Sequence, residues 1–367
     1  MNKVKIGIEC ENIEDKGTRY GVGQLTLNLL KEYSNNLEWQ AKYKLYLYFK
    51  CKIPDDEFLK NPVFIKRVMH SRSFNIFYHI FMPIRAMFDG LDWMFFPAYQ
   101  LPPLYFGKSV VMLTQDVYYE YKYGNLPFRY KLSYAIFANW AAKRATKILA
   151  ISEASKKEIV KLFKIKPERI FVSHLGIDVS KPTAYNLQPT TYILYVGQMF
   201  PRRHAKETIL AFEKIAPDFP DLKLILVGKD KYNPPIIADL IKDKKNIIHY
   251  DYLEKREDVD RLYAGAKLCV YVSDNEAFGL PPIEAAGYGV PIVVKDSELN
   301  HELFGDAAFF VSQADPDTIA EALKDGLVNE NKRNYCLEKY KQIMPKFTWH
   351  NFANKFFDAI PKRASSL

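Results

Sequence analysis

Cysteine is scarce. Cys10, Cys51, Cys269 and Cys336 stand far apart in 367 residues, with no CxxC pair and no histidine at ligand spacing. That pattern speaks against a disulfide framework and a zinc site, and fits reduced, buried thiols in a cytoplasm. Long apolar runs are missing too. None approaches the ~18 residues of a membrane-spanning helix, and the richest stretch, Phe74 to Phe88, is interrupted by His79, Pro83 and Arg85. The opening MNKVKIGIEC lacks the apolar core and small-residue cleavage site of a secretion signal. Gly (16) and Pro (21) are scattered, so no low-complexity tract exists. Hydrophobic residues at 48% and charged residues at 26% exclude wholesale disorder, collagen-like repeats and a coiled coil.

Acidic residues are under-represented in one half. Residues 1–180 hold 27 Lys and Arg against 17 Asp and Glu, and the remainder holds 25 against 26. The whole net charge of +9 therefore lies in the first half. A one-sided basic region implies an anionic partner: a membrane surface, a phosphorylated substrate or nucleic acid.

What is present is alternation. Short strand-like runs (KVKIGIE, KYKLYLYF, SVVMLT, KILAIS, RIFVSH) are interspersed with helical patterns over Gly21 to Tyr33 and Glu153 to Lys164. Residues 178–190, with two prolines and no periodicity, read as a linker. The pattern then restarts with TYILYVG, KLILVG, NIIHY, KLCVYVS, GVPIVVK and AAFFVS, separated by helices over Glu207–Ile215, Pro235–Lys242 and Val259–Gly265 and followed by one over Asp317–Leu327. This is the signature of parallel sheets with crossover helices. The length suits two domains. The expected division is 1–180, 181–345, and a closing amphipathic segment 346–367 whose Trp349, Phe352, Phe356 and Phe357 read as core.

Three turns follow strands and can face a ligand. Gly21-Val22-Gly23 is a glycine turn before a helix, where backbone can approach an anion or simply reverse tightly. It lacks the third glycine of a dinucleotide site, that position being Thr26. Gly197 opens a second turn that includes Arg202 and Arg203, a fit for a diphosphate or a solvated loop pair. The third runs from Ser273 through Glu276, Phe278, Gly279 and Leu280 to Glu284, with Pro281 and Pro282 in the first helical turn. There one carboxylate can reach sugar hydroxyls and the other a ribose, or they are a loop charge and a helix-dipole carboxylate.

These segments resemble the family 4 retaining glycosyltransferases. EAFGLPPIE is similar to the family's EGFGLPxxE block, YVGQMFPRRH to YVGxxxPRKN, GVGQLTLNLL to GIGRYTxNLL, FFPAYQLPP to HxPNYxLPP, ISEASKKEI to VSExSKxDL and SHLGID to PNGVD. The resemblance runs in order from about residue 5 to 360 and implies the GT-B fold. That fold is α/β, with two Rossmann-like domains facing across a cleft and a C-terminal helix returning to the first. It further implies Glu284 on the donor ribose, Glu276 on the transferred sugar, and Arg202 and Arg203 on the diphosphate. Backbone at Gly21, Gly23, Gly197, Phe278, Gly279 and Leu280 lines the donor. Gln115-Asp116 stands where the family has His-Asp, so Gln115 is a sugar or acceptor contact and Asp116 joins the catalytic group. No metal and no cofactor are expected, the nucleotide sugar being a substrate, and nucleic acid is not an expected partner. The DxD runs Asp258-Val259-Asp260 and Asp315-Pro316-Asp317 read as helix caps.

Two other classes fit less well. A sugar-nucleotide epimerase needs an acid/base pair that the turns do not offer, and a nucleic-acid binder needs a motif that is absent. Residues 74–137 hold 18 Phe and Tyr in 64 positions. Ser155–Arg169 sets Ile159, Leu162 and Phe163 among Lys156, Lys157, Lys161, Lys164 and Lys166. That helix is expected either on an anionic membrane next to a lipid-linked acceptor or with its apolar face in the core.

Overall fold

The computed structural model describes residues 3–19, 21–114, 119, 121–122, 128–179 and 191–361. The chain forms two compact units, Met1–Gly176 with Trp349–Leu367, and Ile177–Thr348. The boundary thus falls one residue before the expected linker, most of which (180–190) lies outside the described residues.

The first unit is built on seven parallel strands: β1 (Val4–Glu9), β2 (Tyr43–Phe49), β3 (Phe64–Val68), β4 (Trp93–Phe96), β5 (Ser109–Met112), β6 (Lys147–Ala150) and β7 (Ile170–Val172). Their order is β3-β2-β1-β4-β5-β6-β7. Its helices are α1 (Val22–Asn35), α2 (Leu37–Lys42), α3 (Phe74–Ile76), α4 (Met82–Asp89), α5 (Phe128–Arg144) and α6 (Glu153–Phe163); a π-helical turn, Phe77–Phe81, joins α3 to α4. Helices cover both faces of the sheet, so the strands are buried almost continuously. Tyr46, Tyr48, Met94 and Phe96 enter one core with Phe77, Tyr78, Tyr134 and Ile159. β3 and β4 were not anticipated: β4 is four apolar residues without alternation, and β3 is a half-exposed edge strand carrying Lys66 and Arg67.

The second unit repeats the plan with β8 (Tyr192–Val196), β9 (Lys223–Val227), β10 (Ile247–Tyr250), β11 (Leu268–Tyr271), β12 (Ile292–Lys295) and β13 (Phe309–Val311). The order is β10-β9-β8-β11-β12-β13. Its helices are α7 (Ala205–Ile215), α8 (Ile237–Ile241), α9 (Arg256–Gly265), α10 (Leu280–Gly287), α11 (Glu298–Phe304), α12 (Pro316–Val328) and α13 (Glu330–Ile343). In each sheet the chain reverses direction across the sheet after its third strand. That leaves a crevice at the carboxyl ends of β1 and β4, and of β8 and β11.

The last helix, α14 (Trp349–Asp358), belongs to the first unit. Phe357 packs its ring 5.7 Å from that of Tyr33 and 5.0 Å from those of Trp39 and Tyr43. Phe356 lies 4.8 Å from Phe95. Tyr43, Lys147 and Ser173 donate hydrogen bonds to the carbonyls of Phe357, Ala359 and Phe352. The expected aromatic core role of this segment is thereby met. Phe357→Ala should destabilise the first unit by about 3–5 kcal/mol, the usual cost of emptying a buried Phe site. A lowered urea midpoint with unchanged slope is the expected reading.

Candidate functional site

In the second unit the crevice is made by two turns. The turn after β8 begins at Gly197, whose φ of +141° belongs to glycine; a Cβ there would stand 3.2 Å from Tyr271 Cε2 and 3.6 Å from an Arg203 nitrogen. Gly228 after β9 comes closer still, a Cβ falling 2.1 Å from the Gly197 carbonyl oxygen. A short 3-10 turn, Pro201–Arg203, then places two guanidiniums side by side before α7. The turn after β11 supplies Glu276.

Glu276 gathers the site. Its Oε1 accepts from Arg202 Nη1 and Arg203 Nε at 2.6 Å each, from Tyr271 Oη at 3.1 Å and from Ser273 Oγ at 3.2 Å. Oε2 accepts from Arg203 Nη2 at 3.1 Å. Arg202 Nη1 also donates to the Asn275 carbonyl, and both guanidiniums lie over the Phe200 ring. Burial alone would push the Glu276 carboxyl up. The two guanidiniums outweigh it and hold the carboxyl below its ordinary value, while Arg203 is held charged. Neither alternative reading survives: the arginines are not a solvated pair, and Glu276 is not a surface charge. Beside them His204, at φ +46°, contacts Asp274 at 2.8 Å and Glu207 at 3.5 Å. Burial opposes its charge, but the two carboxylates raise its pKa to about 9, so it adds a third cation at neutral pH.

Glu284 lies on α10. Oε1 meets Arg256 Nη1 at 2.7 Å and Oε2 accepts from Tyr263 Oη at 3.0 Å. Burial raises its pKa in spite of Arg256. Gly279 caps α10 at φ +79° with no side-chain cap, and Pro281 and Pro282 bring no N–H, so the amides of Gly279 and Leu280 form the mouth of the helix. The Phe278 side chain turns into the core, edge-on to Phe347, leaving its backbone to the turn.

The structure thus brings Gly197, Arg202, Arg203 and Glu276 together, with Glu284, Gly279 and Leu280 on the helix that follows. Gly21 and Gly23 belong to the other unit, where Gly21 is the φ +45° cap of α1 and Gly23 lies against the Asn12 carbonyl. Gln115 and Asp116 lie outside the described residues. Asp260 pairs with Arg256 and Asp258 with Arg261, both inside α9 rather than capping it, whereas Asp315 does cap α12. Among the described residues no cluster of three His, Cys, Asp or Glu has the geometry to hold a metal. Cys51 is exposed, unlike the other three thiols. On α6, Ile159 and Phe163 are buried in the core; Lys156 and Lys161 face Glu153 and Glu158. The core alternative therefore holds for this helix, and its lysines are a solvated face.

One residue escaped the sequence reading. Glu9 ends β1, at the crevice of the first unit, and is 3% exposed. It accepts from the Glu11 amide at 2.6 Å and from Asn12 Nδ2 at 3.1 Å. Desolvation, with help from the charges of Glu11 and Glu14, lifts its pKa to about 8. A polar cavity of about 550 Å³, lined by Asn12, Glu14, Gly23, Lys50 and Lys52 among others, adjoins it along the chain. The only sequence signal was an acid ending an apolar strand at a switch point.

Residues 183–343 match the family model "Glycosyl transferases group 1", and residues 54–181 match "Glycosyltransferase Family 4". The O-antigen chain mannosyltransferase B of Escherichia coli is 28% identical over 229 residues, 58% of this chain and 59% of that protein. The chain spans less than two thirds of the length of the first curated relatives it matches. Among solved structures, WaaG, a glycosyltransferase involved in lipopolysaccharide biosynthesis, superposes with a TM-score of 0.71 at 16% identity over 97% of this chain and 99% of its own. Anabaena HepE in complex with UDP-glucose gives 0.69 at 14% identity over 97% and 100%. The fold is GT-B.

The raised carboxyl of Glu9 sets a pH dependence. Between pH ~4.5 and ~8 the folded chain holds a proton that the unfolded chain has released, so stability falls as pH rises through that window. Glu9→Gln removes this slope. Its urea midpoint should match the parent near pH 4.5 and exceed it at pH 8.5; parallel midpoints at both pH values would contradict a protonated Glu9.

Proposed function

The chain belongs to the group 1, family 4 glycosyltransferases, and from that membership we propose that it moves a hexose from a nucleotide-diphosphate donor to an acceptor hydroxyl, with retention, in cell-surface polysaccharide or glycolipid assembly. The names borne by the curated relatives favour mannose as the hexose. The observation that carries this reading is the pair Arg202–Arg203 fixed on Glu276 at the β8/β11 crevice.

Cleavage of the bond between the anomeric carbon and the β-phosphate oxygen sends the electron pair to the diphosphate and leaves positive charge on the sugar. Two guanidiniums with a planar fork match that growing anion, and their anchoring removes most of the reorganisation the reaction would otherwise need. The amides of Gly279 and Leu280, at the positive end of α10, point the same way in sign. Glu276 positions both arginines, and a sugar hydroxyl reaches it by taking the place of a neutral partner such as Ser273 Oγ. Glu284, oriented by Arg256 and Tyr263, takes the two ribose hydroxyls. The acceptor attacks from the face the phosphate leaves, and its proton passes to the departing phosphate oxygen. No protein nucleophile is required, in contrast to a two-carboxylate hydrolase.

The Asp258 and Asp260 carboxylates serve arginines, in keeping with a reaction that uses no resident metal. No cofactor is needed beyond the donor substrate. The workplace is the cytoplasmic face of a membrane, with a glycan on a lipid carrier as acceptor; no helix of the described residues is long and apolar enough to cross a membrane.

Arg203→Ala should lower kcat roughly 100-fold, the scale for losing one donor to a developing anion, with a smaller rise in donor KM. An unchanged kcat removes Arg203 from the chemistry. Glu284→Ala should weaken nucleotide-sugar binding by about 1–3 kcal/mol in a titration. Activity should survive EDTA, and strict dependence on a divalent ion would overturn the metal-free reading.

A further inference from the structure

Twelve of the nineteen large apolar side chains that stand exposed among the described residues lie between Ile76 and Trp140, all in the first unit. They form two stripes at helical spacing. On the α3–α4 segment Ile76, Ile80, Ile84, Met87 and Phe88 face outward, Phe88 being 82% exposed, while Phe77, Tyr78, Met82 and Ala86 fill the core. On α5 the outward stripe is Phe128, Leu132, Ile136 and Trp140, and the inward one Tyr134, Ala138, Ala141 and Ala142. The two helices adjoin, since the His79 and Phe137 rings stack at 5.1 Å and both inner faces share one core. An apolar surface of this extent marks an interaction site.

The charges on α5 have one sign: Arg129, Lys131, Lys143 and Arg144, with no acid from Phe128 to Arg144. Asp89, which ends α4, is buried and satisfied by Arg67, Arg85 and Tyr48. Apolar stripes rimmed by cations suit an anionic bilayer, where rings and aliphatic chains enter the interface and Lys and Arg meet headgroups. A second copy of the same face would set cation against cation.

We propose that the outer faces of α3–α4 and α5 are the membrane-docking surface of this protein, seated on anionic phospholipid. The inference rests on the membrane-side reading above and replaces the lysine helix α6 as the contact.

Trp140 provides a reporter, because Trp39, Trp93 and Trp349 are all buried. Vesicles of phosphatidylcholine with about one third phosphatidylglycerol should sediment the full chain, release it with salt, and quench its fluorescence when the lipids are brominated. Pure phosphatidylcholine should bind at least about tenfold less. The variant M87E/F88E/I136E, altered only at exposed positions and checked for an unchanged melting temperature, should lose about tenfold or more of the binding. The α6 variant K156E/K157E/K161E should keep most of it. Binding undiminished in the first variant, quenching that survives Trp140→Phe, or a dimer that this variant splits in sedimentation velocity would each overturn the proposal. Titration with a nucleotide-diphosphate sugar, measured in parallel, separates the two readings: no donor binding with intact vesicle binding sinks the catalytic one alone, and donor binding without vesicle binding sinks the docking surface alone.

Discussion

A buried carboxylate that accepts from two arginines, a tyrosine and a serine is costly to assemble and hard to move. Taking one carboxylate and two guanidiniums out of water carries a penalty of several kcal/mol per ion, recovered only when geometry and hydrogen bonding are complete. Here they are complete on the carboxylate side, and every supporting feature of the second unit follows from that need. Gly197 and Gly228 let β8 and β9 turn without a Cβ, so Arg203 can lie against Tyr271. The Asp274 amide bonds the Arg202 carbonyl at 2.9 Å, fastening the two turns to each other. His204 accepts a left-handed backbone conformation to enter α7. The excess of positive charge that Arg202 and Arg203 hold over Glu276 is the useful remainder: a site with cations already in place is preorganised for an anion.

That remainder explains why the network is worth its desolvation. A pair neutralised one to one has little left for a ligand. Two guanidiniums on one carboxylate leave a net positive field in a region of low dielectric, where a diphosphate gains more than in water. The α10 terminus adds to it without a further side chain, because Gly279 makes no cap that would consume its amides. Fold and chemistry meet at this point, since both turns stand at the switch in strand order that the sheet topology dictates.

Much of this was legible in the residues. Both parallel sheets announced themselves through alternating strands and helices, and Gly197, Arg202, Arg203, Glu276 and Glu284 stood out through turn chemistry and the order of their motifs. The partnership of Glu276 with the arginines was hidden, because 73 or more residues separate them and pairing across β8 and β11 depends on strand order. Glu284 hid Arg256 and Tyr263 because that contact depends on how α9 packs against α10 on either side of β11. What each apolar stripe packs against was hidden as well. On α6, Ile159 and Phe163 have the spacing of an amphipathic helix, and spacing alone does not say whether an apolar stripe meets lipid or core. On α4 and α5 the apolar residues run round most of the helix, so only the fold shows which arc remains outside.

The two crevices share a topology and differ in charge. The β8/β11 crevice gathers Arg202, Arg203 and His204 about Glu276. The β1 end gathers Glu9, Glu11 and Glu14, with Lys50 on Glu11 at 2.9 Å and the Lys50 and Cys51 amides on Glu14. One arrangement favours a species that becomes negative. The other crowds carboxylates until burial keeps Glu9 protonated near neutrality. Asn12 supports that state, since its Oδ1 is buried without a partner and an amide turn would present it to a Glu9 hydroxyl. A neutral carboxylic acid can donate a hydrogen bond as well as accept one. One strand order thus carries turns of opposite charge after the first strand of each unit.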